Sequence, residues 1–121
     1  MKQTWVGRFE IAAGSAVILY LQGPKEKVWG FLLRITEAGV AVRGIDLASF
    51  DDWLRQEARG EERTLGLNTV FFPMGRVEKV ERDETVGPLE GYADRFAREV
   101  GRSARAVVLG VDSARPGGRR R

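Results

Sequence analysis

The sequence predicts an α+β fold that is mainly β: a small five-stranded barrel with one helix inserted between strands and a second helix after them. Three observations support this prediction. Apolar residues alternate with polar ones over several segments of the first half, Gly and Pro separate those segments, and two later segments change to helical spacing. A chain of 121 residues is long enough for one domain with a single core.

The first segments have the period of two that is typical of strands. Trp5, Gly7, Phe9 and Ile11 alternate with Val6, Arg8 and Glu10, which predicts a half-buried strand near the N-terminus. After an Ala-Gly-Ser turn, residues 17–22 are apolar on both faces until their end. This pattern predicts a strand in the middle of a curved sheet.

The third predicted strand covers residues 28–35, in which Trp29 shares a face with other large apolar side chains. Gly30 inside a strand indicates a bulge, a sharp bend or a close approach of another backbone. A short turn over residues 36–39 connects this strand to the next, residues 40–45. Three strands joined by short turns form a meander.

The period then changes to that of an inserted helix near residues 49–59. Ser49 is a suitable N-cap, Asp52 follows three residues later as in a capping box, and Gly60 is placed to end the helix. Trp53 lies in its apolar stripe and is expected to anchor the helix on the sheet.

The chain resumes the sheet over residues 65–72 and then bends. Proline lacks the N–H that a sheet ladder uses and glycine allows a turn, so residues 73–76 are predicted to form one tight 3₁₀-type turn before a strand that starts near Val77. In a five-stranded barrel such a corner lets the chain cross and close the sheet. The alternative is a kink in an open sheet.

Residues 88–100 read as a second helix, with Pro88 in the first turn and Gly101 at the end. The apolar run over residues 106–111 is interpreted as one more strand, at a sheet edge or in a neighbouring subunit. Its candidate interface residues are Val107, Val108 and Leu109.

Three regions follow from these elements: a barrel over residues 1–84, a helix plus apolar segment over 85–111, and a disordered tail over 112–121. Residues 1–90 hold 12 basic and 14 acidic side chains, whereas residues 91–121 hold 8 and 3. The basic excess therefore lies at the C-terminus, where it suits either a solvated tail or contacts with phosphates. The tail ends in Arg119, Arg120 and Arg121.

The composition argues against an enzyme. There is no histidine and no cysteine, which removes the commonest general base, the commonest zinc ligands and a thiol nucleophile. No catalytic residue, metal site or cofactor is predicted. The absence of a membrane-spanning apolar run and of a signal-peptide pattern predicts a cytoplasmic protein without membrane contact.

The order of segments resembles that of the Sm-like small barrels. The resemblance covers residues 15–82 and rests on SAVILYLQG, on the central glycine of KVWGFLL and on the tight turn in NTVFFPMGRVEKVE. It implies a ring-forming oligomer that binds single-stranded RNA. The related SH3-like barrels fit the spacing almost as well and imply binding of proteins or peptides.

Two functions are carried forward. The first is a non-enzymatic interaction or scaffold module that forms a homo-oligomer or binds a protein partner. The second is an RNA- or DNA-binding protein in which Arg34 and Arg43, expected to lie nearly opposite each other across the hairpin, assist the basic tail. Trp29 suits either burial in the core or base stacking, and burial is favoured because its face carries other large apolar residues.

Overall fold

The computed structural model describes residues 9–62 and 64–110. The strands are β1 (Ala16–Leu21), β2 (Glu26–Ile35), β3 (Gly39–Asp46), β4 (Asn68–Pro73) and β5 (Val77–Arg82). The helices are α1 (Phe50–Arg59), α2 (Tyr92–Val100) and α3 (Ala104–Leu109), and 3₁₀ turns cover Leu47–Ser49 and Met74–Arg76. The predicted α+β class is confirmed.

The strands form one antiparallel sheet in the order β4-β3-β2-β1-β5. Strands β1 to β4 pair with their neighbours in sequence, whereas β5 crosses to the far side and pairs with β1. The predicted tight turn after residue 72 is confirmed as the 3₁₀ turn between β4 and β5. Arg76 anchors this corner, since it donates to the carbonyl oxygens of Gln22 at 3.0 Å and Pro24 at 2.7 Å.

The predicted closure into a barrel is wrong. Over the described ranges no ladder joins β4 to β5, and these two strands form the open edges of the sheet. The sheet is nevertheless curved, because Phe72 of β4 and Val77 and Val80 of β5 pack on the same buried cluster. The two edges are therefore linked through side chains and not through backbone hydrogen bonds.

The centre of the sheet requires two glycines. Gly30 and Gly44 are register partners in β2 and β3. A Cβ atom on Gly30 would lie 2.4 Å from the carbonyl oxygen of Arg43, and one on Gly44 would lie 2.3 Å from that of Trp29. No side chain fits at these distances, so the close backbone approach that Gly30 predicted is confirmed.

Apolar side chains are buried on both faces of the sheet. The concave face holds a cluster built from strands β1, β2 and β3: Val17, Leu19, Leu21, Val28, Leu32, Val40 and Val42. The opposite face is covered by the helices, and its cluster adds helix residues to the sheet residues Ile18, Trp29, Phe31 and Ile45. Helices that follow residue 84 therefore share a core with the sheet.

An aromatic cluster joins the helices to the sheet. The ring of Trp29 lies 4.9 Å from that of Phe50 and 5.6 Å from that of Trp53, and Trp53 stacks on Phe96 of α2 at 4.7 Å. Trp29 and Trp53 are fully buried. Burial of Trp29 and the anchoring role of Trp53 are both confirmed, so neither ring is free for base stacking.

Asp83, just after β5, connects the sheet to α2. Its Oδ2 accepts hydrogen bonds from the indole Nε1 of Trp29 at 3.0 Å and from the backbone N of Ala93 at 2.8 Å, and its Oδ1 accepts from the backbone N of Tyr92 at 2.7 Å. The carboxylate thus satisfies amides at the start of the helix and faces its positive end.

Several predicted boundaries change. Helix α1 spans the predicted residues and ends at Gly60 in the left-handed conformation, but the Ser49 side chain makes no capping hydrogen bond, since a 3₁₀ turn precedes the helix. Helix α2 begins at Tyr92, four residues later than expected. Residues 9–12 are not part of a strand, and the remainder of the predicted N-terminal strand lies outside the described residues.

Candidate functional site

The described part of the chain offers little that resembles a catalytic or metal centre. No group of three acidic side chains lies close enough to hold a metal ion in residues 9–62 and 64–110. Many of the described acidic side chains form ion pairs with arginines and are not grouped with one another. Glu90 receives two hydrogen bonds from Arg98 at 2.8 and 2.9 Å, and this hydrogen bonding holds the pKa of the Glu90 carboxyl below its usual value.

Arg34 and Arg43 lie on one face of the sheet but are not opposite each other. Arg34 is the register partner of Ala41, whereas Arg43 is the partner of Phe31. The ladder shifts between residues 32 and 34 of β2, and this irregularity removes the alignment that a regular hairpin would give. Because cross-strand partners point to the same side, both arginines lie on the face that carries the helices.

The two arginines have different surroundings. Arg43 is half-buried, and its guanidinium donates to the carbonyl oxygen of Val108 at 2.9 Å and to the hydroxyl of Thr69 at 3.1 Å. Arg34 is exposed and lines a shallow pocket of about 270 Å³ together with Thr36, Ala41 and Phe71. Arg43 therefore supports the fold, and Arg34 is available to a ligand.

Phe71 is a candidate site residue that sequence reasoning missed. It is 54% exposed, and its ring lies over Gly39, where a Cβ atom would be 2.6 Å from Phe71 Cζ. Its neighbour Phe72 packs instead on the concave cluster. Alternation along a strand required one of these two consecutive phenylalanines to face outward, so the signal was present in the sequence.

The segment with Val107, Val108 and Leu109 is not a strand. It forms helix α3, in which the Ser103 side chain accepts a hydrogen bond from the backbone N of Ala106. Val108 is 5% exposed and belongs to the helix-side cluster, and its two neighbours pack against that cluster. The segment thus binds its own sheet, which removes the exposed apolar strand that suggested an interface here.

Arg119, Arg120 and Arg121 lie outside the described residues. Helix α3 ends at Leu109, and Gly110 follows in the left-handed conformation. In the last turn of α3, the carbonyl oxygen of Val108 accepts a hydrogen bond from the guanidinium of Arg43.

A second concavity, of about 450 Å³, lies between the β1–β2 turn and the end of β3. Tyr20 lines it and donates a hydrogen bond to Glu81 at 2.7 Å, and this bond raises the pKa of the Tyr20 phenol above 10.0. Lys79 lies 4.2 Å from the centre of the tyrosine ring. Side chains of both charge signs line the concavity, so it favours no single class of ligand.

Comparisons with protein-family models, with curated proteins and with solved structures find no match. In the part of the chain that the structure describes, no helix is long and apolar enough to cross a membrane. The structure itself supports a small β-rich α+β fold.

Proposed function

We propose that this chain is a non-enzymatic interaction module that self-associates by pairing its edge strand β4 with β4 of a second copy. The observation that carries the proposal is the contrast between the two open edges. Strand β4 has the sequence NTVFFP without a charged side chain, whereas β5 has VEKVER with four. Natural sheets protect exposed edges with charge, and only β5 has that protection.

The outer edge of β4 is also free to pair. Its backbone forms the ladder with β3, and across residues 9–62 and 64–110 no other strand forms a ladder with it. An exposed apolar side chain accompanies this edge, since Phe71 is 54% exposed. An unpaired edge beside apolar surface is a site at which another chain adds a strand.

Symmetry limits how two copies of β4 can meet. A two-fold axis perpendicular to the sheet gives antiparallel pairing and keeps the helix face of one copy next to that of the other. Opposed residues then share a face, so the register is centred on a residue. Centring on Phe71 places the two exposed phenyl rings side by side, and a cross-strand aromatic pair stabilises antiparallel sheets.

Strand β4 has only six residues, so pairing along it forms a small interface. Stable complexes bury at least ~1,200 Å² of surface. We therefore expect an association that depends on protein concentration. Light scattering and sedimentation should show mass rising from the 13.5 kDa of one chain toward twice that value as concentration increases.

The test is the substitution Phe71→Lys, which places two like charges opposite each other at the seam and should abolish the concentration dependence. The matched control is Ile35→Lys, which makes the same chemical change at a similarly exposed residue away from the β4 edge. A monomeric wild type at millimolar concentration contradicts the proposal. Equal loss of association in both variants shows general apolar contact and not β4 pairing.

The proposed relation to Sm-like or SH3-like barrels is supported by the strand order and by the 3₁₀ turn between β4 and β5. The chain departs from the Sm pattern at two places where that family contacts RNA. The hairpin loop reads Thr36-Glu37-Ala38-Gly39, and the expected Arg-Gly is Met74-Gly75. Ring formation and RNA binding in the manner of that family are not part of this proposal.

A further inference from the structure

Arg34 differs from the other arginines in residues 9–62 and 64–110. Two of those arginines, Arg43 and Arg105, donate to backbone carbonyl oxygens. Seven more form ion pairs with carboxylates: Arg55, Arg59, Arg76, Arg82, Arg95, Arg98 and Arg102. Within the same residues the guanidinium of Arg34 has neither kind of partner, and Arg34 is exposed. Its charge is therefore free to meet an anion from outside the chain.

Arg34 lines a pocket at the hairpin between β2 and β3, and hydrogen bonds hold that hairpin in a fixed shape. The backbone N of Thr36 donates to the carbonyl oxygen of Gly39 at 2.9 Å, and the backbone N of Gly39 donates to that of Thr36 at 3.3 Å. The backbone N of Met74 donates to the carbonyl oxygen of Ala38 at 2.9 Å, which ties the turn to the corner after β4. A ligand therefore meets a backbone that is already ordered, and this lowers the cost of binding.

The ring of Phe71 forms the apolar wall of this pocket. It lies against Gly39, where a Cβ atom would be 2.6 Å from the Cζ atom of the ring, so a side chain at position 39 would displace it. Phe71 nevertheless remains 54% exposed. An apolar group placed on the ring removes apolar surface from water. An exposed ring beside an unpaired cation therefore favours a ligand that has both an apolar and an anionic part.

The composition of the pocket favours a carboxylate over a phosphate. Five described residues line the pocket, and none of them is acidic: Arg34, Thr36, Gly39, Ala41 and Phe71. One guanidinium matches the single charge and the planar geometry of a carboxylate, whereas phosphate sites combine several donors, such as a helix N-terminus or successive backbone N–H groups. The hydroxyl of Thr36 accepts from the backbone N of Ala38 at 3.1 Å, and a hydroxyl that accepts can still donate its own hydrogen.

We propose that this pocket, which we call the hairpin pocket, binds a small organic carboxylate that carries an apolar group. The guanidinium of Arg34 binds the carboxylate, the hydroxyl of Thr36 donates to it, and the ring of Phe71 covers the apolar group. The volume of about 270 Å³ is just below the ~300–1,000 Å³ of pockets for drug-sized ligands, so a smaller ligand fits. These residues belong to one chain, and binding does not rest on the β4 pairing proposed above.

The test is an NMR titration of the isotope-labelled, full-length protein with phenylpropionate and, separately, with its neutral amide. Resonances of Gly39, Ala41 and Phe71 should shift. The ligand has about eleven non-hydrogen atoms, and a low ligand efficiency for that size gives a Kd on the order of 1 mM. The amide should bind about five-fold more weakly, because its hydrogen bond to Arg34 lacks the negative charge.

Two variants separate the roles of the charge and the ring. Arg34→Gln should remove the preference for the carboxylate, so that phenylpropionate and its amide bind equally. Phe71→Thr should weaken both ligands about three-fold or more and keep the preference, because the ring contacts only the apolar group. The ratio of the two affinities is measured within one variant, so a general loss of structure does not imitate the effect of Arg34→Gln.

Two matched substitutions serve as controls. Arg98→Gln makes the same change at an exposed arginine that is paired with Glu90, and it should leave both affinities unchanged. Ile35→Thr changes an exposed apolar residue that is next to Arg34 in sequence but does not line the pocket, and it should also bind normally.

The carboxylate could belong to a free acid or to the C-terminus of a peptide, and one further comparison separates these sources. A short glycine peptide that ends in phenylalanine is titrated with its C-terminus free and with its C-terminus amidated. If the free peptide binds more tightly than phenylpropionate and amidation weakens it, the occupant is a peptide C-terminus. If the free peptide binds more weakly than phenylpropionate, the occupant is a small free acid.

Three outcomes overturn the inference. The first is equal binding of phenylpropionate and its amide to the wild type, or no shift at the pocket residues well above the expected Kd. The second is a preference for the carboxylate that survives Arg34→Gln. The third is tighter binding of phenyl phosphate than of phenylpropionate, which would contradict the choice of a carboxylate.

Discussion

The carboxylate of Asp83 connects the sheet to helix α2, and removing it should destabilise the protein more than removing any surface carboxylate. Asp83→Ala leaves the indole N–H of the fully buried Trp29 without its acceptor. It also exposes the amides of Tyr92 and Ala93 at the start of α2. Both defects arise from one substitution that creates little cavity.

The magnitude follows from these contacts. Loss of a side chain that accepts from the first helical amides costs about 1 kcal/mol. An unsatisfied buried donor costs about 1–3 kcal/mol, so the free energy of unfolding should fall by about 3 kcal/mol in total. With an unfolding entropy of about 2.1 cal/mol/K per residue over 121 residues, the melting temperature should fall by about 12 °C.

The assay is urea unfolding followed by tryptophan fluorescence and circular dichroism, with a thermal melt for comparison. The matched control is Asp52→Ala, which removes another carboxylate from a first helical turn, one whose side chain is 63% exposed and pairs with Arg55. In that control the free energy of unfolding should fall by less than about 1 kcal/mol. Asp83→Asn should give an intermediate loss, because one carbonyl acceptor remains. Equal unfolding midpoints for Asp83→Ala and Asp52→Ala would refute the connecting role.

Two further predictions concern the sheet. Gly30→Ala should unfold the protein or lower its stability by about 3 kcal/mol or more, since the new Cβ would lie 2.4 Å from the carbonyl oxygen of Arg43, whereas Gly75→Ala, with no atom within 4 Å, should be tolerated in the same urea titration. Tyr20→Phe should have a slightly lower free energy of unfolding than the wild type, by an amount that is constant below pH 10. At higher pH the two free energies of unfolding should become equal. The raised pKa of Tyr20 means that its bond to Glu81 stabilises the fold while the phenol is protonated and is lost as the pH rises through the folded-state pKa. A difference that grows above pH 10 would contradict this sign.

Elements were predicted correctly where several local signals agreed. Helix α1 has an apolar stripe, acidic residues in its first turn and Gly60 at its end, and the structure has the predicted residues as helix. The corner after β4 was predicted for the same reason, because Pro73 and Gly75 both disfavour a continuous strand. These signals act over a few residues and need no tertiary information.

Helix α3 shows where local signals conflict. The run of Val107, Val108 and Leu109 favours a strand by intrinsic preference. Ala104 and Val108, four residues apart, are instead buried together against the sheet, and Ser103 caps the helix by accepting from the backbone. Tertiary burial on the helical period outweighed the preference of the β-branched residues.

The candidate site depended on features with weaker signals. The shift in the ladder before Arg34 decides which residues share its face, and a regular hairpin was the natural expectation. Whether the sheet closes into a barrel could not be predicted from the sequence either. Closure depends on whether two edges that are distant in sequence form hydrogen bonds with each other. Phe72 and Val77 pack on one buried cluster, which links those edges through side chains without a ladder.

Pairing between copies would use two features of strand β4. Its backbone groups lie in the plane of the sheet, and the ring of Phe71 projects from the helix face, where it would meet its counterpart at the two-fold axis. Arg34 shares that face with Phe71 but lies on β2, which β3 separates from β4. Arg34→Gln should therefore leave the mass in solution unchanged. A loss of association in this variant would show that the contact between copies extends across the face of the sheet and is not confined to the β4 edge.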